Sequence, residues 1–112
     1  MTIEQLNTRL YEKMQAEQAR FHDYLITQPP DVILKNAYQY AIREDIIFCM
    51  EINDLPEKQC RALLLLQNPL EAVYAKWEQS DPGFVDSILQ TIKARADDKI
   101  REDYIKVRRD AR

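Results

Sequence analysis

The chain has few residues able to do chemistry, and most lack the partners that chemistry needs. His22 is the single histidine. Nucleophile triads need a base of that kind, and Asp23 is its only acidic neighbour in sequence. Adjacent helical positions point about 100° apart, so spacing alone does not arrange the two as an acid–base pair. The two cysteines, Cys49 and Cys60, lack the paired clusters of a zinc site. Spacing leaves a disulfide open, but both lie in helical patterns, which favours two buried thiols in a reducing compartment. Glu17 and Asp45 each interrupt an apolar stripe. A carboxylate on a core face costs several kcal/mol unless paired or hydrogen-bonded. Bundle metal sites add histidine at Glu-x-x-His spacing, and no such spacing occurs here. The two acids are therefore expected to accept from a tyrosine, an arginine or a helix amino end, or else to face a partner or water. Tyr38, Tyr74 and Trp77 are at helical spacing and form the candidate pocket, with core packing the commoner use of such residues. No catalytic residue, metal ligand or cofactor site is expected.

The elements that must position these residues are all helical. A first helix is expected from Ile3 to about Thr27. Thr2 and Gln5 open it as a capping box. Leu6, Leu10, Met14, Phe21 and Leu25 make its stripe, and Pro29-Pro30 end it. A second helix is expected over 30–53, with Pro30 in its first turn and Asp31 at the positive dipole end. Leu34, Tyr38, Ala41, Phe48, Cys49 and Ile52 form one face; Ile33, Tyr40 and Ile47 form another. A helix apolar on two sides should be central and covered on both. Asp54 is the expected cap of a short third helix that has Pro56 in its first turn and buries Cys60, Leu63, Leu64 and Leu66. Asn68-Pro69-Leu70-Glu71 opens a fourth, with Asn68 as its cap and Leu70, Val73, Tyr74 and Trp77 on one side. Ser80-Asp81-Pro82-Gly83 reads as a loop. The last helix follows with a wide face (Phe84, Val85, Ile88, Leu89, Ile92, Ala96) that narrows to Ile100, Tyr104 and Val107. That thin seam should pack on the first or second helix, or pair with a second copy.

Composition narrows the function classes. The chain of 112 residues is 46% hydrophobic and 31% charged, as in one folded domain. A single glycine excludes glycine-rich phosphate loops and dinucleotide fingerprints. No apolar run approaches the ~20 residues of a membrane span. Met1 to Arg9 lack a signal-peptide layout, which sets the expectation of a cytoplasmic protein. Residues 93–112 hold eight basic against five acidic residues, a net of +3, while residues 1–92 hold eight against fourteen, a net of −6. Helices two to four superficially resemble a helix-turn-helix, but the fourth carries Glu71 and Glu78 against Lys76, the wrong sign for meeting phosphates. The better nucleic-acid candidates are Lys99, Arg101, Lys106, Arg108, Arg109 and Arg112. They are diluted by acids in the manner of a solvated face, so nucleic acid is a minor expectation.

Leu10-Tyr11-Glu12-Lys13-Met14, Glu17-Gln18, Gln28-Pro29-Pro30, Ala37-Tyr38-Gln39-Tyr40-Ala41-Ile42-Arg43-Glu44-Asp45-Ile46, Asn53-Asp54-Leu55, Ala62-Leu63-Leu64, Asn68-Pro69-Leu70 and Val73-Tyr74 together resemble a family of small bacterial proteins known only as a domain of unknown function. The Tyr-x-Tyr-Ala-Ile-Arg-Glu-Asp string is its most specific part. The likeness covers about Leu10 to Ala96, with the charged tail an addition. It implies a cytoplasmic bacterial setting in Gram-positive gut bacteria, often beside mobile elements. It transfers no activity and no site residue.

The expected architecture is an all-α bundle of about five helices, three long and two short, around the 30–53 helix. Residues 1–96 should form the domain and 97–112 a charged helical extension. The expected role is a non-enzymatic interaction module that binds another protein or itself, with Tyr40, Arg43, Glu44 and Asp45 as the polar contact strip.

Overall fold

The computed structural model describes residues 1–79 and 88–110. The described residues form five helices: α1 (Ile3–Leu25), α2 (Pro30–Ile52), α3 (Glu57–Leu64), α4 (Pro69–Gln79) and α5 (Ile88–Asp110). No strand occurs among the described residues. The expected all-α bundle of three long and two short helices is the fold observed. The Ser80–Gly83 turn, Phe84, Val85 and Arg112 lie outside the described residues.

Local chemistry explains the boundaries. Thr2 N donates to Gln5 Oε1 at 2.9 Å and Gln5 N to Thr2 Oγ1 at 3.1 Å, a closed capping box at the start of α1. α1 ends two residues before the expected Thr27, in a turn whose Thr27 and Gln28 amides bond back to Tyr24 O and Leu25 O. Pro29 is the N-cap of α2 and Pro30 its first residue. Asp54 does not cap α3. Pro56 holds the N-cap position and offers no side-chain acceptor there.

The core draws on every helix. Leu10 and Met14 of α1, Ile46 of α2, Leu63 of α3, Leu70 and Val73 of α4, and Ile92 and Ala96 of α5 are fully buried, with Leu55 from the α2–α3 loop. α2 packs against α1, α4 and α5. It is not covered on both sides, however. Arg43, Ile46, Ile47 and Met50 face inward. Leu34, Tyr38, Phe48 and Ile52 are 59–75% exposed. At 100° per residue those four lie opposite Arg43 and Met50, and among the described residues no helix covers them; only Trp77 of α4 touches their edge, at the Tyr38 hydroxyl.

α5 is continuous through Ala96 and Asp97. Its last buried residue is Ala96, and every residue from 104 to 110 is exposed. The tail therefore does not pack on α1 or α2, as one reading of its seam required. Lys76 Nζ, 2.9 Å from Asp98, ties the root of the tail to α4.

Candidate interaction face

The inner side of α2 is a polar junction that fastens three helices. Pro69 has no amide proton, so the first free amides of α4 belong to Leu70 and Glu71. They donate to the two carboxylate oxygens of Glu17, at 2.8 and 2.7 Å. Ala72 N closes the first helical bond on Asn68 O. The amides expected to use the Asn68 side chain thus use an acid from α1 instead. This is the helix amino end expected for Glu17. Burial pushes the Glu17 carboxyl above its ordinary value, against the pull of those two amides and of the Arg43 guanidinium 3.8 Å away.

Arg43 completes the junction. Its Nε donates to Gln18 Oε1 at 2.9 Å and its Nη1 to Glu71 Oε2 at 3.0 Å. The guanidinium carbon lies 4.4 Å from the centroid of the Phe21 ring. Gln18 Nε2 donates onward to Tyr40 O and Glu44 Oε1. Arg43 is 4% exposed, so it cannot belong to an outward contact strip, as the sequence reading placed it. Desolvation lowers its pKa, and Glu17 and Glu71 oppose that.

Two further α1 side chains serve loops, and sequence reasoning missed both. Asn7 Nδ2 donates to Leu55 O at 3.0 Å while Leu55 N donates to Asn7 Oδ1 at 2.8 Å. Lys13 Nζ donates to Leu64 O and Leu66 O at 2.9 and 2.6 Å, covering carbonyls at the end of α3. The available signal was polar residues beside the Leu6–Leu10–Met14 stripe.

The other expected site residues separate. Tyr40 and Glu44 line an open groove of about 300 Å³ between α1 and α2, together with His22 and Asp23. Burial, then Glu44, raises the Tyr40 phenol. His22 Nδ1 and Asp23 Oδ1 do meet, at 3.3 Å, because the two exposed side chains bend towards each other. Of the candidate pocket residues, Tyr74 is buried in the core, within electrostatic reach of Tyr38. Tyr38 and Trp77 are joined by a 3.1 Å bond from the indole Nε1 to the Tyr38 hydroxyl. Both cysteines are free, with Cys60 buried and Cys49 half-buried. On the tail, Lys99 pairs with Asp103 at 2.8 Å and Arg108 bonds the Tyr104 hydroxyl. Arg101 lies 3.9 Å from Asp98. Lys106 and Arg109 are exposed. No group of His, Cys, Asp and Glu able to hold a metal ion occurs among the described residues.

Asp45 lies on the outer side. It is exposed and has no hydrogen bond or ion pair among the described residues. Leu34, Tyr38, Ala41, Asp45, Phe48 and Ile52 follow spacings of 4, 3, 4, 3 and 4. That is the a/d pattern by which one helix receives another. Asp45 holds one inner position of an otherwise apolar stripe.

A family profile described as "Protein of unknown function (DUF3848)" matches residues 6–100. The chain belongs to the DUF3848 family. The match takes in all of α2 and stops at Ile100, before the exposed end of the tail. No curated protein and no solved structure shows significant similarity to this chain.

Proposed function

We propose that this DUF3848 protein is a non-enzymatic docking module that binds another protein through the outer face of α2. In this reading it works in the bacterial cytoplasm as an accessory protein, the setting that the family resemblance implies. One observation carries the proposal: a heptad-spaced apolar stripe left open on a helix whose opposite side is anchored by buried bonds. An exposed, rigidly backed apolar face of this kind is what helix-in-groove recognition uses. The chemistry-bearing residues also favour binding over catalysis, since the buried acid and arginine satisfy each other and helix ends.

Phe48→Asp tests the reading. Phe48 is 59% exposed, so the substitution should change stability by no more than about 0.5 kcal/mol. Affinity capture from bacterial extract should retain a defined protein on the parent chain and lose it on Phe48→Asp, with equal thermal midpoints. Equal capture by both chains overturns the proposal.

A further inference from the structure

We infer that the outer face of α2 receives an amphipathic helix of a different protein, one that carries a lysine or arginine inside its own apolar seam, opposite Asp45. The inference rests on the docking reading above and adds the chemistry of the occupant.

The argument starts from charge. The exposed charges of α2 are Asp31, Glu44, Asp45 and Glu51 against Lys35, four acids to one base, a net of −3. Arg43 cannot offset them outwardly, because it is buried against Glu17 and Glu71. Asp45 would be covered by any helix laid along the stripe. A carboxylate buried without a partner costs several kcal/mol, and the described residues supply none. The occupant must supply it, and the polar position then fixes register and rejects unmatched helices.

Self-pairing fails on the same ground. The stripe reads alike from both ends, so an antiparallel second copy would set Leu34 on Ile52 and Tyr38 on Phe48. It would also gather Glu44 and Asp45 of both copies about the two-fold axis, with no cation among them. A parallel copy would set Asp45 against Asp45. Like charges in a desolvated contact repel strongly.

The α5 tail of a second copy is basic but too short. Its seam from Ile100 to Val107 rises about 10 Å, against about 27 Å from Leu34 to Ile52. A separate helix of five turns matches the stripe.

The probe is a synthetic 21-residue helical peptide with seam spacing 4-3-4-3-4. Leucine fills five seam positions, and lysine holds the third or the fourth, which serves antiparallel and parallel docking in turn. Control peptides carry glutamate there. Fluorescence anisotropy of the labelled peptides with the full chain is the readout. A lysine peptide should bind about tenfold or more tighter than its glutamate control. Asp45→Lys should reverse that order, and Phe48→Asp should abolish both. If both peptides bind the parent chain equally and Phe48→Asp still abolishes binding, the docking face stands and the cation inference falls. If no peptide binds, or Phe48→Asp changes nothing, the docking reading falls as well. A dimer that forms at micromolar concentration and is dispersed by Phe48→Asp makes a second copy the occupant and overturns the inference.

Discussion

Glu17 and Arg43 carry more of the fold than their surroundings in sequence suggest. Each satisfies groups on two other helices, so removing either strands the rest. Arg43→Ala should destabilise the protein by about 3–5 kcal/mol, the range for breaking a buried ion pair by removing one partner. Urea denaturation measures it, and a loss below 1 kcal/mol contradicts the assignment. Glu17→Gln keeps the shape and one acceptor oxygen, and so should cost less than Glu17→Ala. The pH dependence has a defined sign. Burial raises the folded carboxyl above its ordinary 4.5, so the folded state holds this proton to higher pH than the unfolded chain. That contribution is fully present below pH 4.5 and is lost as pH rises through the raised value. The stability of the parent chain relative to Glu17→Gln should therefore fall from pH 4 towards neutrality. Cys60 is a simpler case. It is buried, and desolvation lifts its thiol to about 11. It should stay unreactive to a thiol reagent until the chain unfolds.

At the scale of elements, α1 is the organiser. Asn7 holds the loop before α3, Lys13 covers the end of α3, Glu17 starts α4 and Gln18 joins α2. Asn7→Ala should cost about 1–3 kcal/mol, because it leaves the Leu55 amide and carbonyl buried and unmet. Amide exchange should quicken at Leu55 before it quickens in the centre of α2. The tail contributes little to this packing. Deleting residues 101–112 should leave the thermal midpoint within about 2 °C, since the side chains of residues 104–110 touch solvent. Much of this level was legible beforehand. Prolines at 29, 30, 56 and 69 punctuate the helices where the structure breaks them, and the Thr2–Gln5 box closes as its spacing requires. A buried Glu17 was readable as an acceptor because the cost of an unmet carboxylate is general. Its destination was not, since Glu17 and Leu70 are 53 residues apart and no local pattern encodes such a pairing. Asp54 and Asn68 misled for the opposite reason. Both have good capping chemistry, but a buried acid from α1 took the α4 amides and Pro56 took the α3 cap position.

For the whole molecule, the consequential departure is the bare side of α2. Two apolar stripes were visible in the sequence, and the inward-facing one was assumed to be matched by cover on the other. Periodicity states that a stripe must be buried. It does not state whether the burying surface belongs to the same chain. The described helices enclose Ile46, Ile47 and Met50, and none of them covers Leu34, Phe48 and Ile52. The polar strip expected at Tyr40, Arg43, Glu44 and Asp45 divides accordingly: Arg43 turns inward, Tyr40 and Glu44 border a groove and Asp45 faces out.

The one tryptophan of the chain stands at the edge of that face. Its indole N–H ends on the hydroxyl of Tyr38, a member of the open stripe. A helix laid across Tyr38 displaces water from the ring that this indole senses. The protein thus carries its own optical gauge: occupancy of α2 should register as a change in tryptophan emission without any label, and Tyr38→Phe, by cutting that bond, should mute it.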